Sequence, residues 1–285
     1  LDDGTCARLG PQHFVMTTTT AAAGLVMRHL EFVTQCLHPE WAVSFTSVTE
    51  QWAQFAVAGP KAREVLDGVL DKPLSPDEWP FMACGDVDVQ GIAARLFRIS
   101  FSGEHAYEIA VPARYGASLF RLLNAQAENM GGGPYGMEAL NVLRMEKGFI
   151  THAEIHGRVT AFDIGMDRMV SLKKDCIGQA SAQRVGLKED SREQLVGLQS
   201  DHPMTGGAHL FDLGDDAARL HDQGYVTSVC YSPTLDLHLG LGFLKNGRAR
   251  LGETIQCVDH VRGVTASVKV CDPVAFDPDG GRLRG

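Results

Sequence analysis

The stretch FSGEHAYEIAVP, residues 101–112, decides how the first half of the chain is read. Tyr107, Ile109 and Val111 alternate with Glu108 and Ala110, the period-two pattern of a half-buried strand. Ser102 and Gly103 supply a turn signal ahead of it. Successive strand side chains point to opposite faces, so this pattern sets Glu104 and Glu108 away from Tyr107 and Ile109. Two readings of the acids are open. A solvated strand face carries charge with no further role. A carboxylate in a cleft offers two acceptor oxygens to a ligand.

Outward from this stretch, strands and helices alternate. HFVMTTTTAAAGLVMRHLEFV (13–33) reads as a strand, a Thr-rich turn and a helix from about Ala21, with Thr17 to Thr20 as candidate N-caps. QFAVAGPKAREVLDGVL (54–70) reads as a strand over Gln54 to Ala58, then Gly59. Pro60 takes the first helical position, with Val65, Leu66 and Val69 on one face. VDVQGIAARLFRIS (87–100) adds strands before the opening stretch. RYGASLFRLLNAQAENMGGG (114–133) is an amphipathic helix stopped by glycines, and YGMEALNVLRMEKG (135–148) is another helix. This half is α/β or α+β. From about Glu193 short apolar runs separated by Gly, Pro, Asn and Asp predict a small all-β barrel or sandwich. The polar run GLKEDSRE (186–193) marks the boundary, giving domains 1–189 and 190–285.

Composition bounds the function. With 285 residues, 44% apolar and 21% charged, the chain can bury a sizeable core. A net charge of -9 argues against nucleic acid or an anionic membrane as partner. No apolar run is long enough to span a bilayer. Seven scattered cysteines without a C-x-x-C pair read as reduced, mostly buried thiols of a cytoplasmic protein. His152 and His156 in HAEIH have i, i+4 spacing, but the segment is rich in β-branched residues and reads as irregular, so no metal site is expected. GGGPYG (131–136) lacks the Lys-Ser/Thr of a phosphate loop, and no dinucleotide fingerprint is present. In the 135–148 helix, Arg144 and Glu146 lie among apolar residues. Structural pairing explains them, or the helix start with its tyrosine walls a pocket.

Four ordered segments carry a resemblance: FSGEHAYEI (101–109), PYGMEALNVLRMEKGF (134–149), DIGMDRMVSLKKDCIG (163–178) and GYVTSVCYSPTLDLHLGLGFLKNGRARLGE (224–253). Together they resemble the folate-binding aminomethyltransferase family, the glycine cleavage T-proteins and their relatives. Within it they are most similar to the C-terminal region of sarcosine oxidase alpha subunits. The segments SVTEQWAQFAVAGPKAREVL (47–66) and FDPDGGRLRG (276–285) look similar too.

The resemblance implies an α+β fold with α/β segments followed by a C-terminal small β-barrel, and tetrahydrofolate bound in a central cleft. It implies a role inside a heterotetrameric sarcosine oxidase: accepting the one-carbon unit of oxidised sarcosine to give 5,10-methylenetetrahydrofolate. Flavin and NAD are then expected on other parts of the complex, with a flavin-bearing beta subunit as partner. The family's domain begins upstream of Leu1, so the chain is expected to be a piece of a longer protein. By position the ligand role falls to Glu108, with Glu104 second, Glu146 third, and Thr18, Tyr231 and Ser232 bordering the folate. No catalytic residue is assigned. T-proteins carry an Asp in the turn or helix after the Thr-rich strand, whereas here MTTTTAAAGLVMRHLE (16–31) has no acid before Glu31. That departure weakens a stand-alone aminomethyl- or demethyl-transferase reading; a non-catalytic folate-binding or assembly module is the third alternative.

Overall fold

A computed structural model describes residues 2–189 and 191–285. Leu1 and Asp190, the first residues of the two expected domains, lie outside the described residues. Contacts divide the chain into two compact units, one running to Leu140 and joined by Asp279–Gly285, the other Asn141–Pro278. The division by contacts thus falls inside a helix at Leu140, while the barrel strands begin at Glu193.

The first unit opens with a hairpin of β1 (Cys6–Gly10) and β2 (His13–Met16), followed by α1 (Ala23–Phe32). Its centre is an antiparallel sheet of β3 (Trp52–Ala58), β4 (Cys84–Val89), β5 (Ile92–Phe97) and β6 (Ala106–Pro112), in the order β3-β6-β5-β4. The β4–β5 turn uses Gln90 and Gly91, both at positive φ, the conformation that suits a two-residue hairpin. Asp71 fixes it by accepting from the Gln90 and Gly91 amides at 2.6 and 2.9 Å.

Strand β6 is central, and its alternation does what its sequence predicts. Tyr107, Ile109 and Val111 are buried in one cluster with Leu96, with Val65 and Leu66 of α2 (Ala62–Asp67), and with Leu119 and Leu123 of α3 (Gly116–Asn129). Two local expectations are corrected. Pro60 sits in the turn before α2, whose first turn closes from the Ala62 amide to the Gly59 carbonyl at 3.0 Å. The Thr run makes no side-chain cap, because the Thr19 amide and hydroxyl are taken by the Asp2 carboxylate at 2.7 and 3.2 Å.

The second unit takes up the end of α4 (Met137–Glu146) and contains the short helix α5 (Gln179–Ala182). Its body is a closed antiparallel barrel of β7 (Glu193–Ser200), β8 (His209–Phe211), β9 (Gly224–Ser232), β10 (Leu237–Lys245), β11 (Thr254–Asp259) and β12 (Val264–Cys271). The order around it is β10-β7-β12-β11-β8-β9. Leu198, Leu210, Leu244, Ile255, Val268 and Val270 fill one cluster. The alternate residues of β10, Leu239, Leu241 and Phe243, pack instead against Met145 and Ile150. Gly240 and Gly242 between them leave room for neighbours: a Cβ at 240 would meet Met204 Cε at 3.3 Å, and one at 242 the Tyr225 carbonyl at 2.7 Å. The last residues form α6 (Gly281–Arg284), which belongs to the first unit.

The thiols are less buried than composition implied. Cys6, Cys36 and Cys176 are exposed, and Cys257 is the buried one. Among the described residues no helix is long and apolar enough to cross a membrane. The packing yields a direct expectation. Leu198→Ala, emptying a site 1% exposed, should destabilise the barrel by about 2–5 kcal/mol in urea titration. Leu220→Ala, at 93% exposure, should stay within about 0.5 kcal/mol.

Candidate functional site

Of the residues singled out by sequence, Thr18, Glu104 and Glu108 lie in the first unit, and Glu146, Tyr231 and Ser232 in the second. Glu108 stands in the middle of β6, opposite Ala56 of β3 and Phe97 of β5. It is half-buried, and the Gln54 amide of β3 donates to its Oε2. Burial pushes its carboxyl above the ordinary value of 4.5, and the Gln54 hydrogen bond pulls only partly back. No cation appears among the causes of its shift. Tyr135, in the glycine-rich loop before α4, senses the same group: partial burial and then the Glu108 charge raise its phenol.

Glu104 departs from the expected arrangement. It lies in the turn before β6 and not on the strand, because pairing starts only at Ala106. Its Oε1 accepts from the Arg282 guanidinium at 3.1 Å. The two acids are therefore unlike in kind: one has a charged partner, the other a neutral amide. Thr18, ahead of α1, gives its hydroxyl proton to the Thr19 carbonyl at 3.0 Å.

In the second unit the barrel strands hold the remaining residues. Tyr231 and Ser232 are consecutive on β9 and so face opposite ways. Ser232 is fully buried and donates to Glu146 Oε1 at 2.6 Å, while its oxygen accepts from the Leu235 amide at 3.1 Å. Tyr231 is exposed and donates to Asp236, which raises its phenol. Glu146 and Ser232 are thus brought together and Tyr231 is not. Next to Glu146, the buried Lys147 pairs with Asp277 at 3.0 Å.

Sequence reasoning passed over the most buried acid of this unit. Glu154, in the middle of HAEIH, is 0% exposed. It accepts from the Thr151 amide at 2.8 Å and from the Thr227 and Ser228 hydroxyls at 2.5 and 2.6 Å. Arg144 lies 3.7 Å from it and donates to Ser228, Asn141 and the Phe149 carbonyl, each at 3.0 Å. In the sequence nothing local distinguishes Glu154, whose neighbours are Ala153 and Ile155; its partners Thr227 and Ser228 lie more than seventy residues on. His156 instead meets the Tyr225 hydroxyl at 2.9 Å. Among the described residues no group of three His, Cys, Asp or Glu side chains is arranged to hold a metal ion. Burial pushes the thiols of Cys230, Cys257 and Cys271 up to about 11, which leaves them protonated near neutrality.

A cavity of about 150 Å³ in this unit is lined by Asp163, Lys188, Gln194 and Arg248 among others, and by none of the residues above. It falls below the roughly 300 Å³ at which small-molecule sites begin.

Comparison with known proteins gives a consistent picture. Residues 1–174 match the family model described as the GCVT N-terminal domain, and residues 193–277 the glycine cleavage T-protein C-terminal barrel domain. Among curated relatives, the sarcosine oxidase subunit alpha of Rhizobium meliloti (strain 1021) is 46% identical over 288 residues, 99% of this chain and 29% of that protein. The corresponding subunit of Corynebacterium sp. (strain U-96) is 40% identical over 100% of this chain and 30% of its own length. The chain thus spans under a third of these relatives. An aminomethyltransferase of Natranaerobius thermophilus is 31% identical over 80% of this chain and 61% of that one. The solved glycine cleavage aminomethyltransferase T from Bartonella henselae has the same fold. Its TM-score is 0.79 at 22% identity, covering 98% of this chain and 72% of that chain.

The contrast between the two acids is measurable. A pH titration of the side-chain carboxyls by carbon-13 NMR should find Glu108 titrating above 4.5. Gln54→Leu removes the one contact that favours its charged form, so it should move the midpoint higher still. A Glu108 midpoint unmoved by Gln54→Leu would contradict this account.

Proposed function

The chain belongs to the glycine cleavage T-protein (GCVT) family, and from that membership we propose that it holds a reduced folate as the one-carbon acceptor of a sarcosine oxidase alpha subunit. The observation that carries the reading is Glu108, a half-buried carboxylate in a central strand whose partner is a neutral amide. The pterin edge of a folate presents an amino group and a ring N–H side by side, and a carboxylate offers two acceptors at matching spacing. Glu108 fits that donor pair. Its raised pKa fits as well, since a carboxylate lifted by desolvation gains more than a solvated one from two added donors. Gln54 would orient it. Glu104, with its Arg282 partner, is second choice; Thr18, Glu146, Tyr231 and Ser232 are proposed as bordering residues.

In this reading sarcosine is oxidised elsewhere, on a flavin-bearing partner chain. The methylene carbon of the resulting imine forms bonds to two folate nitrogens and glycine leaves, yielding 5,10-methylenetetrahydrofolate. The chain's own residues bind and orient the acceptor. Holding a reactive one-carbon unit beside its acceptor removes much of the barrier without a dedicated acid or base. The run after β2 supports this over stand-alone transfer, since its first acid is Glu31 on α1. His152 and His156 are given no metal role.

Two experiments test the reading. Calorimetric titration with 5-formyltetrahydrofolate should show binding, weakened by about 1.5–3 kcal/mol in Glu108→Gln and by less in Glu104→Gln. No heat at millimolar ligand, with the preceding segment of the full subunit restored, would end the proposal; equal losses at both acids would remove the preference for Glu108. Second, the chain alone should be colourless and make no hydrogen peroxide from sarcosine, because amine oxidation needs a redox cofactor. With its partner chains present, folate should divert free formaldehyde into methylenetetrahydrofolate. Turnover of sarcosine by the isolated chain would refute this division of labour.

A further inference from the structure

Arg98, at the residue after β5, is the largest fully buried side chain of the first unit, 1% exposed. Its hydrogen-bond partners are all neutral. Nη1 donates to the Ala106 carbonyl at 3.0 Å. Nη2 faces His105 Nδ1 at 2.7 Å and the carbonyls of Leu283 and Arg284 at 3.0 and 3.2 Å. The guanidinium also stands 5.1 Å from the centre of the Tyr107 ring and 5.8 Å from that of Phe81. A guanidinium carries only donors, so His105 Nδ1 must accept. The imidazole proton is then on Nε2 and points to the Tyr107 oxygen at 3.3 Å, which also accepts from Arg63 Nε at 3.1 Å. Helix α6 is seated on this stack. Leu283 is buried, and a Cβ on Gly285 would come within 3.0 Å of His105 Nδ1.

We propose that Arg98 and neutral His105 form a latch that seats α6 on the first unit and makes Arg98 a positioning residue for the adjoining acids. One hand of the latch is the Ala106 carbonyl, two residues before Glu108. The other is α6 itself, whose Arg282 holds Glu104. The latch requires an acceptor at Nδ1. A second proton on the imidazole would set N–H against N–H and expel either the guanidinium or the helix. Around His105, the charges of Arg98 and of Arg63 and Glu64 of α2 bear on that proton. Tyr107 of β6 meets Nε2, Glu104 precedes it in the turn and is paired with Arg282 of α6, Arg284 of α6 accepts from Arg98 through its carbonyl, and Gly285 lies against Nδ1. Burial first, then Arg98 and Arg63, lower His105 from 6.5 to about 4, with Glu64 opposing.

The sign follows from linkage. The seated state takes up the proton at about 4 and the released state at 6.5. Seating is therefore at full strength well above 6.5 and weakens by up to about tenfold per pH unit below it, by about 160-fold at pH 4 and toward a limit of about 300-fold below that. The seating itself does not depend on the folate reading. Only its consequence for ligand affinity rests on that reading.

The test follows the Leu283 methyl resonances of the whole chain by NMR, with Leu66 and Leu198 as controls for the two cores. In the unaltered protein Leu283 should sit at a packed position at pH 7.5 and move toward the free-chain position as pH falls below 6. His105→Gln keeps an acceptor for Arg98 without titrating, so its Leu283 should stay packed across that range. Arg98→Met should release Leu283 at every pH. Should Arg98→Met disturb the control leucines as well, the His105→Gln comparison alone decides. Leu283 remaining packed in a folded Arg98→Met, or a Leu283 profile in His105→Gln identical to that of the unaltered protein, overturns the latch. A parallel titration with 5-formyltetrahydrofolate separates the two proposals. Release of Leu283 without any folate binding to the unaltered protein keeps the latch and removes the folate reading. Binding that loses about tenfold in Arg98→Met and is preserved in His105→Gln at pH 7.5 supports both.

Discussion

Strand β6 must satisfy two environments at once. A central strand shows one set of side chains to each face of its sheet, and here both faces are largely covered. On one side Tyr107, Ile109 and Val111 are locked among the helices α2 and α3. That burial fixes the register, because a slip of one residue would drive Glu108 into the apolar cluster. The same constraint fixes Glu108 on the opposite face, where Ala56, Ala110 and Phe97 surround it and only Gln54 answers it. The position of this weakly compensated acid is thus a by-product of how the core is packed.

The second unit handles buried polar groups in another way. Glu154 and Arg144 are as buried as core leucines, yet every side-chain oxygen and nitrogen of the two has a hydrogen-bond partner. A buried ion pair contributes little net stability, since desolvation cancels most of the attraction, but a broken one is costly. Such a network holds the end of α4, the Thr151–Ile155 turn and strand β9 in one fixed arrangement. Ser232 and Glu146 extend it along β9. The result is rigid backbone beneath the exposed Tyr231 and Asp236, with the acids already satisfied.

The parts of this architecture that were legible in the sequence share one property: their signal is local and periodic. Strand β6 carries its own alternation, and the barrel strands β7, β9, β10, β11 and β12 are short apolar runs bounded by turn residues. By contrast β8 is three residues long, and β1 mixes Arg8 with Ala7 and Leu9, so neither announces itself. The Thr run resembled a cap because capping is a local rule, but Asp2, far upstream, captures Thr19. Glu104 was placed on the strand because alternation says nothing about where pairing begins. The groups that define the environments of the acids came from distant segments: Gln54 from a strand fifty-four residues before Glu108, and Arg282 from the far end of the chain. No window of sequence contains both members of either pair. For the same reason HAEIH drew attention to its histidines, while the buried residue was the glutamate that needed Thr227 and Ser228 to explain it.

Charge accounting separates the acids of the first unit more clearly than position does. An exposed ion pair such as Arg282–Glu104 is worth only about 0–1 kcal/mol, so its importance is not stability. What it does is occupy the carboxylate: a ligand approaching Glu104 must compete with a cation already in place. Glu108 presents the opposite case. Its neutral partner leaves the negative charge unanswered, burial makes that charge costly, and a donor pair arriving from outside relieves the cost. In the proposed folate reading, this asymmetry is what favours Glu108 over Glu104 for a ligand rich in N–H donors. Arg98 completes the logic from behind. By holding α6 through backbone carbonyls and not through an acid, it keeps Arg282 beside Glu104, while its own charge does not act on Glu108.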